Sequence, residues 1–158
     1  NMTRKCFITL AVCSMAACFG EAPLANGVYA VVKTGPSAEQ ARTGVDGERV
    51  MKYGGEYFAL DASRFVPLIL AEPPKAAQDD RGFTMLNVKL APEHAKRLET
   101  FTREHLGGRI AVVISGDIVT TYKVRGVIRD GEAKITRCDD DACRTLLLKL
   151  TQPSEAKP

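Results

Sequence analysis

The segment 83–115 restricts the fold of this chain more than any other part, because two strand patterns enclose one helix pattern. Apolar and polar residues alternate through Phe83–Ala91, which predicts a strand with one buried face. Pro92–Leu106 begins with a proline, repeats apolar residues at helical spacing and ends at two glycines. The apolar run Arg109–Ser115 predicts another strand. We therefore expect an amphipathic helix lying on a sheet.

Pairs of turn-forming residues divide much of the remaining chain into short strands. Such pairs suit two-residue hairpin turns because glycine takes a positive φ without strain. The predicted turns and their strands are Gly54-Gly55 between Glu48–Tyr53 and Glu56–Asp61, Gly116-Asp117 before Ile118–Val124, and Asp130-Gly131 before Glu132–Arg137.

The segment before residue 83 has weaker patterns. Gly27–Lys33 is apolar and β-branched, which predicts a strand, and Ala38–Arg42 suits one helical turn. Pro67 within the apolar run Arg64–Glu72 favours an edge strand or the entry of a strand. Residues 73–82 predict a loop.

A last helix is predicted near the carboxyl terminus. Asp139–Asp141 place negative charge on its first turn, where the helix dipole favours it, and Leu146, Leu147 and Leu150 form its buried face. The order of elements predicts the α+β class, as a two-layer antiparallel sheet with two main helices packed on one face. Residues 27–150 would form this single domain, followed by a disordered tail at 151–158.

The first 17 residues predict a secretory signal peptide, because Arg4 and Lys5 precede an apolar run too short to span a bilayer. Met15–Cys18 resembles a bacterial lipobox, in which Cys18 receives a lipid after cleavage. Ordinary signal cleavage is the alternative. By resemblance to the usual lipoprotein sorting pattern, Phe19 after this cysteine implies the outer membrane and not the inner one. Residues 18–26 would then tether a periplasm-facing domain to the membrane of the cell envelope.

Charge argues against some classes of partner. Without the two basic residues of the signal segment, 20 of the 22 Lys and Arg residues remain against 19 acidic residues. The exported domain is therefore nearly neutral, which disfavours strongly acidic partners. Because its basic residues are scattered and not interleaved with aromatic residues, we expect no nucleic-acid binding.

Cys138 and Cys143 are the two cysteines within the predicted domain, since the other three lie at or before Cys18. In an exported chain such a pair predicts a structural disulfide. Free thiols, a redox couple and half of a metal site are the alternatives. Redox motifs place two residues between their cysteines, whereas four separate this pair, and a zinc site would need more ligands.

No pattern in the sequence predicts catalysis. His94 and His105 lie on one predicted helix about 16 Å apart, too far to bind one metal ion. Ser115 lacks the surroundings of a nucleophilic serine, and Asp79–Asp80 lacks a partner carboxylate. The run Asp139–Asp141 lacks the ligand spacing of a calcium loop. We therefore expect no enzyme, no metal and no cofactor.

From about Gly54 to Leu150 the chain resembles the head subdomain in the first periplasmic region of SecD and SecDF, accessories of the protein-export translocase. The resemblance rests on the strand FTMLNVKLA, the helix after it, the hairpin GGRIAVVISGDIVTTYKV, the strand GEAKI and the closing ACRTLLLKL. In that family the membrane helices carry proton-driven work and the head contacts emerging polypeptide. These 158 residues hold no counterpart of the six-helix membrane part, so the resemblance implies an interaction surface.

Together these patterns predict a non-enzymatic envelope lipoprotein that binds an unfolded polypeptide or an envelope protein, in a role accessory to protein export. An extended segment can add to an exposed sheet edge. The alternatives are a periplasmic inhibitor or immunity lipoprotein that blocks one enzyme with a loop, and a small-molecule or cell-wall-binding module. The candidate contact residues are Gly116, Asp117, Tyr122, Lys123 and Arg125.

Overall fold

The computed structural model describes residues 21–135 and 147–150. All strand pairs among these residues are antiparallel, which confirms the α+β class and its antiparallel sheet arrangement. The elements in chain order are β1 (Gly27–Gly35), α1 (Ala38–Ala41), β2 (Glu48–Tyr53), β3 (Glu56–Pro67), β4 (Lys75–Gln78), β5 (Thr84–Lys89), α2 (Pro92–Glu104), β6 (Arg109–Ile114), β7 (Asp117–Lys123) and β8 (Glu132–Ile135).

The larger sheet has five strands in the order β2-β3-β1-β6-β7. The sequence pattern predicted two separate runs where β3 is one strand, and that prediction was wrong. The strand is continuous because β1 pairs with both of its halves, from Gly35 opposite Tyr57 to Gly27 opposite Pro67. Register shifts between Tyr29 and Val31 and between Val31 and Lys33 accommodate the polar stretch in the middle of β3. Pro67 is the last residue of the strand, where the sheet tolerates the absence of a backbone N–H.

The smaller sheet has three strands in the order β4-β5-β8. The expected loop at 73–82 contains the strand β4, which contradicts that prediction. Its residues are Lys-Ala-Ala-Gln, none of which is β-branched, so the strand owes its conformation to pairing with β5. The strands therefore divide between two sheets, a division that the sequence pattern did not specify.

The principal helix has the predicted start and ends two residues early. α2 begins at Pro92 and ends at Glu104, with His105 as its C-cap and Gly107 in the left-handed region at a φ of 78°. Leu147–Leu150 is also helical, and Leu147 and Leu150 pack against the main core. The other features predicted at that end, and those of the signal region, lie outside the described residues. They are Asp139–Asp141, Leu146, the Cys138–Cys143 disulfide, the tail 151–158, the signal peptide and Cys18.

Two apolar clusters cover the two faces of the larger sheet. The main core lies between one face, α2 and the smaller sheet, with Val112, Phe101 and Leu86 as representatives of the three layers. The second core lies on the opposite face and includes Tyr29 and Leu60. No helix within 21–135 or 147–150 is long and apolar enough to cross a membrane.

The turn between β6 and β7 lies one residue earlier than predicted. Ser115 and Gly116 form it, at φ angles of 54° and 81°, and Asp117 already belongs to β7. A serine rarely occupies the left-handed region, so the sequence favoured the following Gly-Asp pair. The backbone N–H of Ser115 donates to Asn26 Oδ1 at 2.7 Å, which helps to hold this conformation.

Candidate functional site at the junction of the two sheets

The structure separates the five predicted contact residues into two groups. Gly116 and Asp117 lie at one end of β7, whereas Tyr122, Lys123 and Arg125 lie at or just beyond its other end. Six residue steps of about 3.3 Å place the two ends on the order of 20 Å apart. They are two surfaces and cannot act as one compact site.

The turn end of β7 is packed against the chain itself. Pro23 approaches so closely that a Cβ added to Gly116 would lie 3.1 Å from the Pro23 Cβ atom. Asn26 binds the backbone of the same turn through Ser115. The segment before β1 therefore covers part of this end, which leaves less surface for a partner.

The other end of β7 borders an apolar crevice of about 270 Å³ between the two sheets. Its floor is part of the main core and combines side chains of the larger sheet and of α2. Its walls come from the end of β7 with the segment after it, and from β8. The lining residues are Val28, Leu98, Thr102, Ile110, Val112, Tyr122, Lys123, Val124, Arg125, Gly126, Ile128, Glu132, Ala133 and Lys134.

The outer edge of β7 faces away from β6 beside this crevice. Val124 donates its N–H to the Gly108 carbonyl and accepts from the Gly107 N–H, both at 2.8 Å, so the Val124 backbone points to the β6 side. Because the direction alternates along an antiparallel strand, the backbone groups of Thr121 and Lys123 point outward.

The outer edge of β8 can be located in the same way. The Gly131 carbonyl accepts the Leu90 N–H at 3.0 Å, so Gly131 points to the β5 side. By alternation the backbone groups of Glu132 and Lys134 point away from β5. The Tyr122 hydroxyl donates to the Lys134 carbonyl, which places this edge toward β7. The crevice therefore lies between the outer edges of two strands from different sheets.

The segment that joins β7 to β8 is fixed to α2 at defined points. The Thr102 side chain is fully buried, and its hydroxyl donates to the Leu98 carbonyl at 2.9 Å and accepts the Ile128 N–H at 3.0 Å. A Cβ added to Gly131 would lie 2.4 Å from Ala95 Cβ. These contacts give the crevice a preformed wall.

The rim of the crevice has an excess of positive charge. Lys123, Arg125 and Lys134 are exposed there, and Glu132 is the acidic residue among the lining residues. No ion pair joins any of these four side chains to another described residue within 4.0 Å. Within the described part of the chain, the charge of this rim is therefore not neutralised by ion pairs.

A second, larger cavity of about 570 Å³, which no sequence pattern predicted, lies between α2 and the end of β3. Its rim carries both signs of charge. Arg64 Nη2 lies 2.6 Å from Glu104 Oε2 and joins its two walls, while Glu93 and Lys96 line it further along α2. This paired, mostly exposed lining is less suited than the crevice to an apolar segment.

Two ionisable groups with a shifted pKa, Tyr29 and Glu48, lie away from the crevice. Within the described residues there is no group of three or more His, Cys, Asp or Glu side chains that could hold a metal ion. Hydrogen bonds, above all from the Thr43 hydroxyl, lower the pKa of Glu48, and burial raises the pKa of Tyr29 against the opposing charge of Arg49. Both groups serve local structure, and neither lines the crevice.

Comparison with known proteins identifies the family. A family model described as the SecDF P1 head subdomain matches residues 71–152, which is more than half of the chain. The chain belongs to the family of SecDF P1 head subdomains. The match includes β4–β8, α2 and both walls of the crevice, and it begins at residue 71, later than the resemblance to SecD suggested.

Curated relatives of this P1 head include two translocase subunits. The protein translocase subunit SecDF of Thermus thermophilus is 34% identical over 61 residues, which are 39% of this chain and 8% of that protein. The subunit SecD of Thermobaculum terrenum is 27% identical over 77 residues, or 49% of this chain and 15% of that protein. This P1 head therefore spans only a small part of the length of these relatives.

Solved structures of SecDF are similar as well. One is described as a membrane component that enhances protein export; it is 18% identical, with a TM-score of 0.46 over 84% of this chain and 99% of that chain. Another, a super-membrane-facing form of SecDF, is 18% identical, with a TM-score of 0.47 over 81% of this chain and 28% of that chain.

Proposed function

We propose that this P1 head binds an extended polypeptide segment in the crevice between β7 and β8, as an accessory of protein export. The observation that carries the proposal is the apolar crevice between two outward-facing strand edges. Backbone groups of Thr121 and Lys123 would pair with the segment, while its inward side chains would enter the crevice. Strand addition of this kind recognises an extended backbone, which suits an unfolded partner.

Membership of the SecDF P1 head family supports this role. The curated translocase subunits SecDF and SecD are much longer proteins, of which this chain covers 8% and 15%. We therefore extend to this chain the contact with polypeptide that the family resemblance implies, and we do not extend the proton-driven work of the membrane helices.

The direct test is binding of a fluorescein-labelled, extended peptide with one central phenylalanine, measured by fluorescence anisotropy with the full chain. Gly126 lines the crevice, and a Cβ added there meets no heavy atom within 4 Å. Gly126→Trp should fill the mouth and weaken binding roughly tenfold or more, since burial of one large apolar side chain is lost. Gly126→Ala is the matched control and should bind like the parent.

Two results would contradict the proposal. Equal affinity of the tryptophan and alanine variants would place the peptide elsewhere. Absence of binding by the parent chain, with its fold verified by circular dichroism, would exclude an extended polypeptide as the ligand.

The proposal includes a location in the cell envelope, with Cys18 lipidated and the head facing the periplasm. The support is the signal-like segment and the lipobox-like Met15–Cys18. Metabolic labelling with an alkyne palmitate should mark the parent chain and not Cys18→Ala. Density fractionation should place the labelled chain in the outer membrane. Equal labelling of the two chains would exclude Cys18 as the site.

A further inference from the structure

We propose that the crevice selects segments in which apolar side chains alternate with acidic ones; this inference rests on the proposed function. The crevice has two chemically different sides, an apolar floor and a cationic rim. An extended segment also has two sides, because successive side chains point in opposite directions. Matching the two gives a sequence preference.

The inward side is set by the main core. Val124 belongs to that core, and Tyr122 and Ala133 of β8 pack against it. A segment added beside β7 would point every second side chain toward the same apolar floor. A volume of about 270 Å³ accommodates one or two large apolar side chains.

The outward side is set by the residues between those inward ones. Lys123 stands between Tyr122 and Val124, and Lys134 stands between Ala133 and Ile135, which is also in the main core. By alternation both lysines lie on the opposite face of their strands. They stand on the two strands that border the crevice, so outward side chains of an added segment would lie near them.

Charge complementarity then favours carboxylates at the outward positions. Opposite charges on neighbouring strands stabilise a sheet, and like charges directly opposite destabilise it. Arg125 adds a third cation beyond the end of β7, and Glu132 is the acid that opposes them. Among the described residues these cations have no ion-pair partner that a carboxylate would need to displace.

The test compares three labelled peptides with the same inward residues, Val-X-Phe-X-Val, in which X is Glu, Thr or Lys. We expect the full chain to bind the Glu peptide roughly tenfold more tightly than the Lys peptide, with the Thr peptide between them. The ratio should shrink at high salt, because these charges are exposed and screened.

A double charge reversal, Lys123→Glu with Lys134→Glu, should invert the order of the Glu and Lys peptides. Its matched control is Lys33→Glu, at an exposed lysine of β1 that does not line the crevice, and this variant should keep the parent order. Lys123→Gln with Lys134→Gln should reduce the preference without inverting it.

The results separate this inference from the proposed function. Equal affinities for the three peptides, all abolished by Gly126→Trp, would overturn the charge preference and leave polypeptide binding in place. If the variant with both charges reversed still binds the Glu peptide more tightly than the Lys peptide, Lys123 and Lys134 do not determine the charge preference. No binding of any peptide would overturn the proposed function itself.

Discussion

At the scale of single residues, Gly131 shows how one position fixes the approach of a strand to a helix. Its φ of 69° lies in the left-handed region, and an added Cβ would meet Ala95 Cβ at 2.4 Å. We expect Gly131→Ala to lower the free energy of unfolding by about 2–4 kcal/mol, from backbone strain and overpacking combined. Urea denaturation measures this, and Gly126→Ala, which meets no heavy atom and has no positive φ, should stay within about 1 kcal/mol of the parent. Equal loss in both variants would contradict the packing argument.

Glu48 gives a prediction about pH at the same scale. The Thr43 hydroxyl, the Thr43 N–H at 2.9 Å and the Gly44 N–H at 3.1 Å donate to its carboxylate and lower its pKa in the folded chain. A lowered folded pKa stabilises the fold above the unfolded pKa of about 4.3, and this stabilisation is lost as the pH falls through the folded pKa. Glu48→Gln should therefore be less stable than the parent at neutral pH, with a difference that shrinks in acid. Chemical denaturation from neutral to acidic pH tests this, with Glu56→Gln as the exposed control; a difference independent of pH would contradict it.

At the scale of elements, the buried hydroxyl of Thr102 holds the segment that forms one wall of the crevice. Thr102→Val keeps the shape of the side chain and leaves the Ile128 N–H without its acceptor. We expect a loss of about 1–3 kcal/mol in unfolding free energy and faster hydrogen exchange at Ile128. Thr100→Val is the control, because the exposed Thr100 hydroxyl donates only within α2, to the Lys96 carbonyl at 3.3 Å. Unchanged exchange at Ile128 would contradict the role of Thr102.

The elements also show how far the sequence predicts the fold. The spacing of apolar residues and the turn residues at their ends predicted β5, α2, β6 and β7, because each of these elements has its own pattern of buried and exposed residues. β4 has no such pattern and exists through its pairing with β5. Three residues of one wall of the candidate site, Tyr122, Lys123 and Arg125, were among the contact residues proposed from the sequence. The other wall was not predicted, because the pairing of β8 with β5 joins residues more than forty positions apart and leaves no local signal.

At the scale of the whole molecule, the larger sheet curls so that its two edge strands, β2 and β7, approach each other. The Tyr53 hydroxyl of β2 donates to the Val119 carbonyl of β7 at 3.3 Å, where a register shift interrupts the pairing of β7 with β6. Arg49, also on β2, donates to the Ala22 carbonyl at 3.0 Å and pairs with Glu21 at 3.2 Å. The segment before β1 and the edge strand β2 thus hold the turn half of β7, while the opposite half borders the crevice.

This division predicts that the two halves of β7 respond independently. Tyr53→Phe removes one hydrogen bond and keeps the ring contact with Phe58, so we expect a loss of about 1 kcal/mol and faster exchange of amides near Val119. Peptide affinity at the crevice should stay unchanged, since Val119 does not line it. Hydrogen exchange and anisotropy on the same variant test both points, with Tyr57→Phe in β3 as the control. Weaker peptide binding by Tyr53→Phe alone would show that the curl of the sheet and the crevice are coupled, and would contradict the independence of the two halves.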